Sequence, residues 1–320
     1  METYAWYNNF IDTLNKKYPR KVDLLQALID LLHIEREAVY RRLRQDVLFS
    51  VHEMAKIVTA WNISLDAIMG TNASQVPFQM RRMNYIDPSA DELKYLRFVL
   101  QSILVISKYP DTEFMDICNK LPRQIASGYE YLNRFYLFKW LYQYGNEKEI
   151  IPYAGTIVSN EVTRLRIEYY EAIKQVPASN FILDRNLFQI LVSDIRYFHT
   201  IHLITDEEKA LIKKDLQVLL DYTLEVANKG CYPETKNKVN LFISELNVDS
   251  NYSYAFSREA DICFIHVFEK FDIYTLDKEM AANFKKWMQL KKRSSFQISI
   301  VDERGRIEYF ARQRQIVDEL

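Results

Sequence analysis

The stretch LLHIEREAVYRRLR, Leu31 to Arg44, decides how the N-terminal region folds. Its first two leucines close one apolar helical run. His33 and Ile34 interrupt the period, and a second helix then begins. On that second helix Ala38, Val39 and Leu43 recur at helical spacing and point inward, toward Leu24, Leu28 and Leu31. The remaining positions, Arg36, Glu37, Tyr40, Arg41 and Arg44, are left facing outward. Two helices joined by a short turn, the second with a polar outer face, form the helix-turn-helix unit.

The flanks extend this pattern. Residues 3–17 read as a helix with Trp6, Phe10 and Leu14 on one side, ended by Pro19. VDLLQALIDLL follows as the second helix. Ser50-Val51-His52-Glu53 is a capping box, in which a serine oxygen takes an orphan amide and a glutamate reaches back. It opens a fourth helix bearing Met54, Ile57, Val58 and Trp61, and Ser64 caps a last short helix, LDAIMG, closed by Gly70.

Residues 1–70 thus resemble the helix-turn-helix domain of phage-repressor-like (XRE-type) bacterial transcription regulators. The resemblance rests on Ala38-Val39 in the recognition helix, the capped helix from Ser50 to Ala60, and the ending Asn62-Ile63-Ser64-Leu65-Asp66-Ala67-Ile68. It covers under a quarter of the chain. Where that family commonly has glycine before the recognition helix, this chain has His33; where it has Asn-Gly after it, this chain has Arg44-Gln45-Asp46.

The resemblance implies binding of double-stranded DNA. Arg36 and Arg41 are the expected readers of base edges, since arginine pairs bidentately with guanine O6 and N7. Tyr40 suits a thymine methyl or a phosphate, Glu37 suits cytosine N4, and Arg44 completes the face. Lys16, Lys17, Arg20 and Lys21 flank the start of the second helix and suit phosphate contacts. Residues 1–70 hold nine basic and nine acidic side chains, so the region is not basic overall, and taken alone such an arginine-rich helix is usually an ordinary solvated face.

The rest of the chain is less specific. At 320 residues two domains are expected. Residues 71–88 read as a linker, and residues 89–320 as a dimerisation or effector domain. Ser89 to Glu92 is a second capping box, beginning a helix to about Ser107. Further helices are expected at about 111–119, 123–145, 160–175, 182–201, 205–229 and 277–292. After Gly230 the runs VNLFISELN, YSYAF, DICFIHVF and FDIYTL are short, aromatic and β-branched. FQISIVD and RIEYFA suggest a closing hairpin around ERGR. The expected fold is therefore mainly α: a five-helix N-terminal domain, then a helical domain ending in a small antiparallel sheet, an α+β arrangement.

Several classes are disfavoured. The chain has a net charge of −1, so any nucleic-acid surface must be local. Cys118, Cys231 and Cys263 lie too far apart for a CxxC site, which fits a reducing cytoplasm. No secretion signal is apparent, no apolar run is long enough to span a membrane, and no membrane partner is expected. His199-x-x-His202 lacks the further ligands of a zinc site, and no catalytic motif or cofactor is expected, so the chain does not read as an enzyme. The expected protein is a cytoplasmic, homodimeric regulator, with a small-molecule or peptide effector open. The alternatives are a peptide-sensing regulator with a helical-repeat domain, and an interaction adaptor that keeps the fold without reading DNA.

Overall fold

The computed structural model describes residues 5–61, 63–69, 76, 78–80, 89–145, 150–256, 261–267, 271–275 and 277–320. The chain forms two compact units, Met1–Pro77 and Phe78–Leu320. Apart from residues 76 and 78–80, the expected linker at 71–88 lies outside the described residues, as does Gly70.

The first unit contains α1 (Ala5–Lys17), α2 (Lys21–Leu32), α3 (Arg36–Leu43), α4 (Val51–Trp61) and α5 (Leu65–Met69). Their apolar stripes meet in one core built on Tyr7, Phe10, Leu14, Leu24, Leu28, Val39 and Ile57. Val39 is the one fully buried residue of α3, and its burial contributes roughly 1.5–3 kcal/mol. The buried Tyr7 hydroxyl is satisfied on both sides. The Tyr7 hydroxyl accepts the Phe49 amide at 2.9 Å and donates to the Arg42 carbonyl at 3.4 Å. Tyr7 thereby ties α1 to the segment after α3.

The second unit departs from expectation. It holds an eight-stranded mixed sheet rather than a small antiparallel one. The strands are β1 (Gln79–Met80), β2 (Glu113–Cys118), β3 (Ala178–Asp184), β4 (Lys238–Ser244), β5 (Asn251–Phe256), β6 (Asp261–Val267), β7 (Phe271–Thr275) and β8 (Ser295–Gln297). Their spatial order is β1-β7-β6-β5-β2-β3-β4-β8. β2, β3 and β4 are mutually parallel, and every other pairing is antiparallel.

The helices are α6 (Ser89–Ile106), α7 (Arg123–Ala126), α8 (Glu130–Tyr144), α9 (Asn160–Ile173), α10 (Leu187–Thr200), α11 (Asp206–Lys229), α12 (Lys278–Lys291) and α13 (Glu303–Asp318). α7 to α9 lie in the crossover from β2 to β3, and α10 and α11 in that from β3 to β4. Parallel strands require such connections. These helices serve one sheet and are not a helical repeat.

Strand parity divides the sheet faces. Phe114, Cys118, Phe181, Leu183, Val239, Leu241 and Ala255 join the large core shared with α6 to α11 and α13. The alternate residues Met115, Ile117, Ile182, Phe242 and Tyr254 pack with Phe284 and Met288 of α12. β2 and β3 are apolar on both faces, so they show no alternation. The helix expected at 111–119 is therefore β2, and the one expected at 182–201 begins only at Leu187, after β3. The expected closing hairpin is also corrected. RIEYFA lies in α13, where Arg306, Tyr309, Phe310, Gln313, Ile316 and Val317 are buried at helical spacing. Asp302 caps this helix by accepting the Gly305 amide at 2.8 Å. The apparent turn at ERGR is therefore a helix start.

Candidate functional sites

The first site is the outer face of α3. α2 ends at His33, which adopts the left-handed conformation at φ 55° and ψ 44° and returns its amide to the Ile29 carbonyl at 2.8 Å. This backbone shape is one that glycine adopts freely, and His33 holds it at a steric cost. Arg36, Glu37, Tyr40, Arg41 and Arg44 are all exposed.

Their engagement differs. The Arg41 side chain makes no hydrogen bond or ion pair among the described residues. The Arg36 guanidinium lies 5.8 Å from the Tyr40 ring centroid, a cation–π contact. Arg44 pairs with Glu37 at 3.0 Å and with Asp46 at 3.3 Å.

Arg42, the fourth arginine, is structural. Its Nε and Nη2 donate to the two Glu53 oxygens at 3.0 and 2.8 Å, and Nη1 donates to the Ala38 carbonyl at 3.0 Å. Glu53 also closes the capping box: it accepts the Ser50 amide at 2.8 Å, while its own amide reaches Ser50 Oγ at 3.2 Å. Burial alone would raise the Glu53 carboxyl, but Arg42 and Ser50 outweigh it and hold it below the usual glutamate range. One carboxylate thus fixes α3 against the start of α4.

The basic residues beside α2 divide as well. Lys17 Nζ donates to the Trp61 carbonyl at 2.8 Å, satisfying an orphan acceptor at the end of α4. Arg20 forms a bidentate pair with Asp23, both bonds 2.8 Å. Lys16 and Lys21 are exposed and make no such bond among the described residues. The structure therefore leaves two of these four cations uncommitted.

The second site was not found from the sequence. A cavity of about 200 Å³ lies between α6, α7, α9 and the face of β2, β5 and β6. Register builds its sheet wall in rows. Phe114, Ala255 and Ile262 form an apolar row, and Asp116, Ser253 and Phe264 lie in the next. His266 follows on the same face of β6 and sits directly opposite Asp272 on β7.

These polar side chains form a continuous chain of hydrogen bonds. Ser253 Oγ contacts Asp116 Oδ1 and lies 2.7 Å from His266 Nε2, while His266 Nδ1 contacts Asp272 Oδ1. Tyr95 of α6 donates to the other Asp272 oxygen, and Arg123 donates to the Tyr95 hydroxyl at 2.6 Å. Beside them, Arg166 Nη2 of α9 pairs with Glu92 of α6.

Burial pushes the Asp116 carboxyl up, against the opposing pull of His266 and the Ser253 hydroxyl. Burial also acts to raise Asp272, but Arg123 and His266 dominate and hold it well below the carboxylate range. The proton on the Asp116–Ser253–His266 segment has two self-consistent placements. Either neutral Asp116 donates to Ser253, which donates to Nε2, or a doubly protonated imidazole donates to Ser253, which donates to the carboxylate.

Ser253, His266 and Asp272 share the hydrogen-bond order of a catalytic triad. A second carboxyl group occupies the serine, however, and β5 is paired on both edges, so ladder bonds consume the amides that would hold an oxyanion. The arrangement can relay a proton and hold a polar ligand. The signal in the sequence was a lone Asp inside EFMDIC and a lone His inside DICFIHVF, each a polar residue at a core-facing strand position.

No protein-family model, curated protein or solved structure matches this chain. The sites therefore stand on their geometry. Among the described residues no helix is long and apolar enough to cross a membrane.

Proposed function

We propose that the protein is a sequence-specific DNA-binding transcription regulator that acts as a homodimer. The observation that carries this reading is α3 itself. It gives only Val39 to the fully buried core and presents Arg36, Glu37, Tyr40, Arg41 and Arg44 outward, after a sharp left-handed turn at His33. A helix with that division of labour suits the major groove, where arginine reads guanine. Lys16 and Lys21 are the cations ready for phosphates. A single small helix-turn-helix reads few base pairs, which favours two copies on half-sites about 34 Å apart.

The test is fragment selection from the source genome, followed by electrophoretic shift with wild-type protein and with Arg36→Ala/Arg41→Ala. Each lost bidentate contact weakens operator binding by about 1–3 kcal/mol, roughly 5- to 150-fold. Random DNA is expected to lose much less. An unchanged operator preference in the variant refutes the assignment of α3, and the absence of any selected fragment favours an adaptor that does not read DNA.

A further inference from the structure

The cavity of the second unit has a polar end and an apolar end. The α6 side chains that line it run from Glu92 through Tyr95, Val99 and Ile103 to Ile106. At the helical rise this line is about 21 Å long. Its first turns meet Arg123 and Arg166, and its last turns share the wall with Phe114 and other apolar side chains.

Arg166 carries the argument. The residue is 8% exposed, and its Nη2 is committed to Glu92. Its Nη1 is buried and has no hydrogen-bond partner among the described residues, yet the side chain lines the cavity. A buried donor without an acceptor is costly, and a charged acceptor relieves that cost best. Glu92 holds the other arm of the same guanidinium, so a ligand with a single negative charge is favoured over a multiply charged phosphate. For size, a cavity of about 150 Å³ lined by apolar side chains accepts benzene. The present volume therefore suits a body of about 8–10 non-hydrogen atoms.

We infer that this cavity binds a small amphipathic monocarboxylate, with its carboxylate on Arg166 Nη1 and its apolar body along α6 toward Ile106. This inference stands independently of DNA binding, and its test uses no DNA.

Calorimetric titration of the purified full chain at neutral pH uses octanoate, octan-1-ol and butanoate as probes. Saturable one-to-one binding of octanoate is expected, at least tenfold tighter than either of the others, because octanol lacks the charge and butanoate lacks the body. Ser102 faces the cavity from the middle of α6, and its hydroxyl only returns to the Phe98 carbonyl at 2.8 Å. Ser102→Leu should fill the space and weaken octanoate at least tenfold, without lowering the melting temperature of the free protein. Glu92→Gln/Arg166→Gln keeps a neutral pair in place and should erase the preference for octanoate over octanol. If that variant fails to fold, Ser102→Leu and the wild-type probe comparison decide. The inference is overturned by no saturable octanoate binding, by octanol binding as tightly as octanoate, or by wild-type affinity in Ser102→Leu.

Discussion

Replacing Glu53 by alanine should loosen the first unit, because one carboxylate holds both Arg42 and the Ser50 amide. The side chain is 13% exposed, and that of its partner Arg42 is 19% exposed. Glu53→Ala removes the return bond of the capping box, worth about 1 kcal/mol by analogy with other cap losses. It also leaves Arg42 half-buried without its carboxylate. Breaking a fully buried pair costs about 3–5 kcal/mol, and partial exposure reduces this to roughly 2 kcal/mol.

The combined loss of roughly 3 kcal/mol is a large share of the few kcal/mol that stabilise a unit of this size. Hydrogen exchange with mass spectrometry on the full chain reads it locally. Peptides from α2, α3 and α4 should lose protection by about 100-fold, while peptides from the sheet of the second unit should not change. Glu53→Gln keeps an acceptor for the Ser50 amide and should lose less.

The sign with pH follows from the depressed Glu53 carboxyl. Its stabilisation is fully present above the unfolded value of about 4.3 and disappears as pH falls through the lower folded value. Acid should therefore erase the difference between wild type and Glu53→Gln. A protection loss below about threefold in Glu53→Ala would refute the reasoning.

Three other outcomes are expected. His33→Gly should be tolerated while His33→Val destabilises the first unit by more than about 1 kcal/mol in denaturant melts, because only the β-branched residue resists φ 55°. Lys16→Ala/Lys21→Ala should flatten the slope of log K against log salt by up to about 2 units, with operator and random DNA weakened alike. Lys17→Ala/Arg20→Ala should change it less, since Trp61 and Asp23 hold those two side chains. A fluorophosphonate probe should leave Ser253 unlabelled, as judged by peptide mass spectrometry; labelling that disappears in His266→Ala would show a working nucleophile instead.

The first unit was legible in the sequence because its information is local. Helical spacing placed Val39 inside and Arg36 and Arg41 outside, and the Ser50–Glu53 box marked a helix start within four residues. Even there, tertiary contacts decided which charges are free: nothing near Lys17 in sequence indicates that it reaches the carbonyl of Trp61. In the second unit the strands β4 to β7 are visible as β-branched, aromatic runs. β2 and β3 are not, because strands buried on both faces lose the alternation that identifies them, and a short apolar run fits either structure. Pairing across the sheet then brought Asp116, Ser253, His266 and Asp272 together from positions up to 156 residues apart. Each of them is an unremarkable polar residue in its own segment. Only register, which puts the polar residues of four strands on one face, turns them into a site.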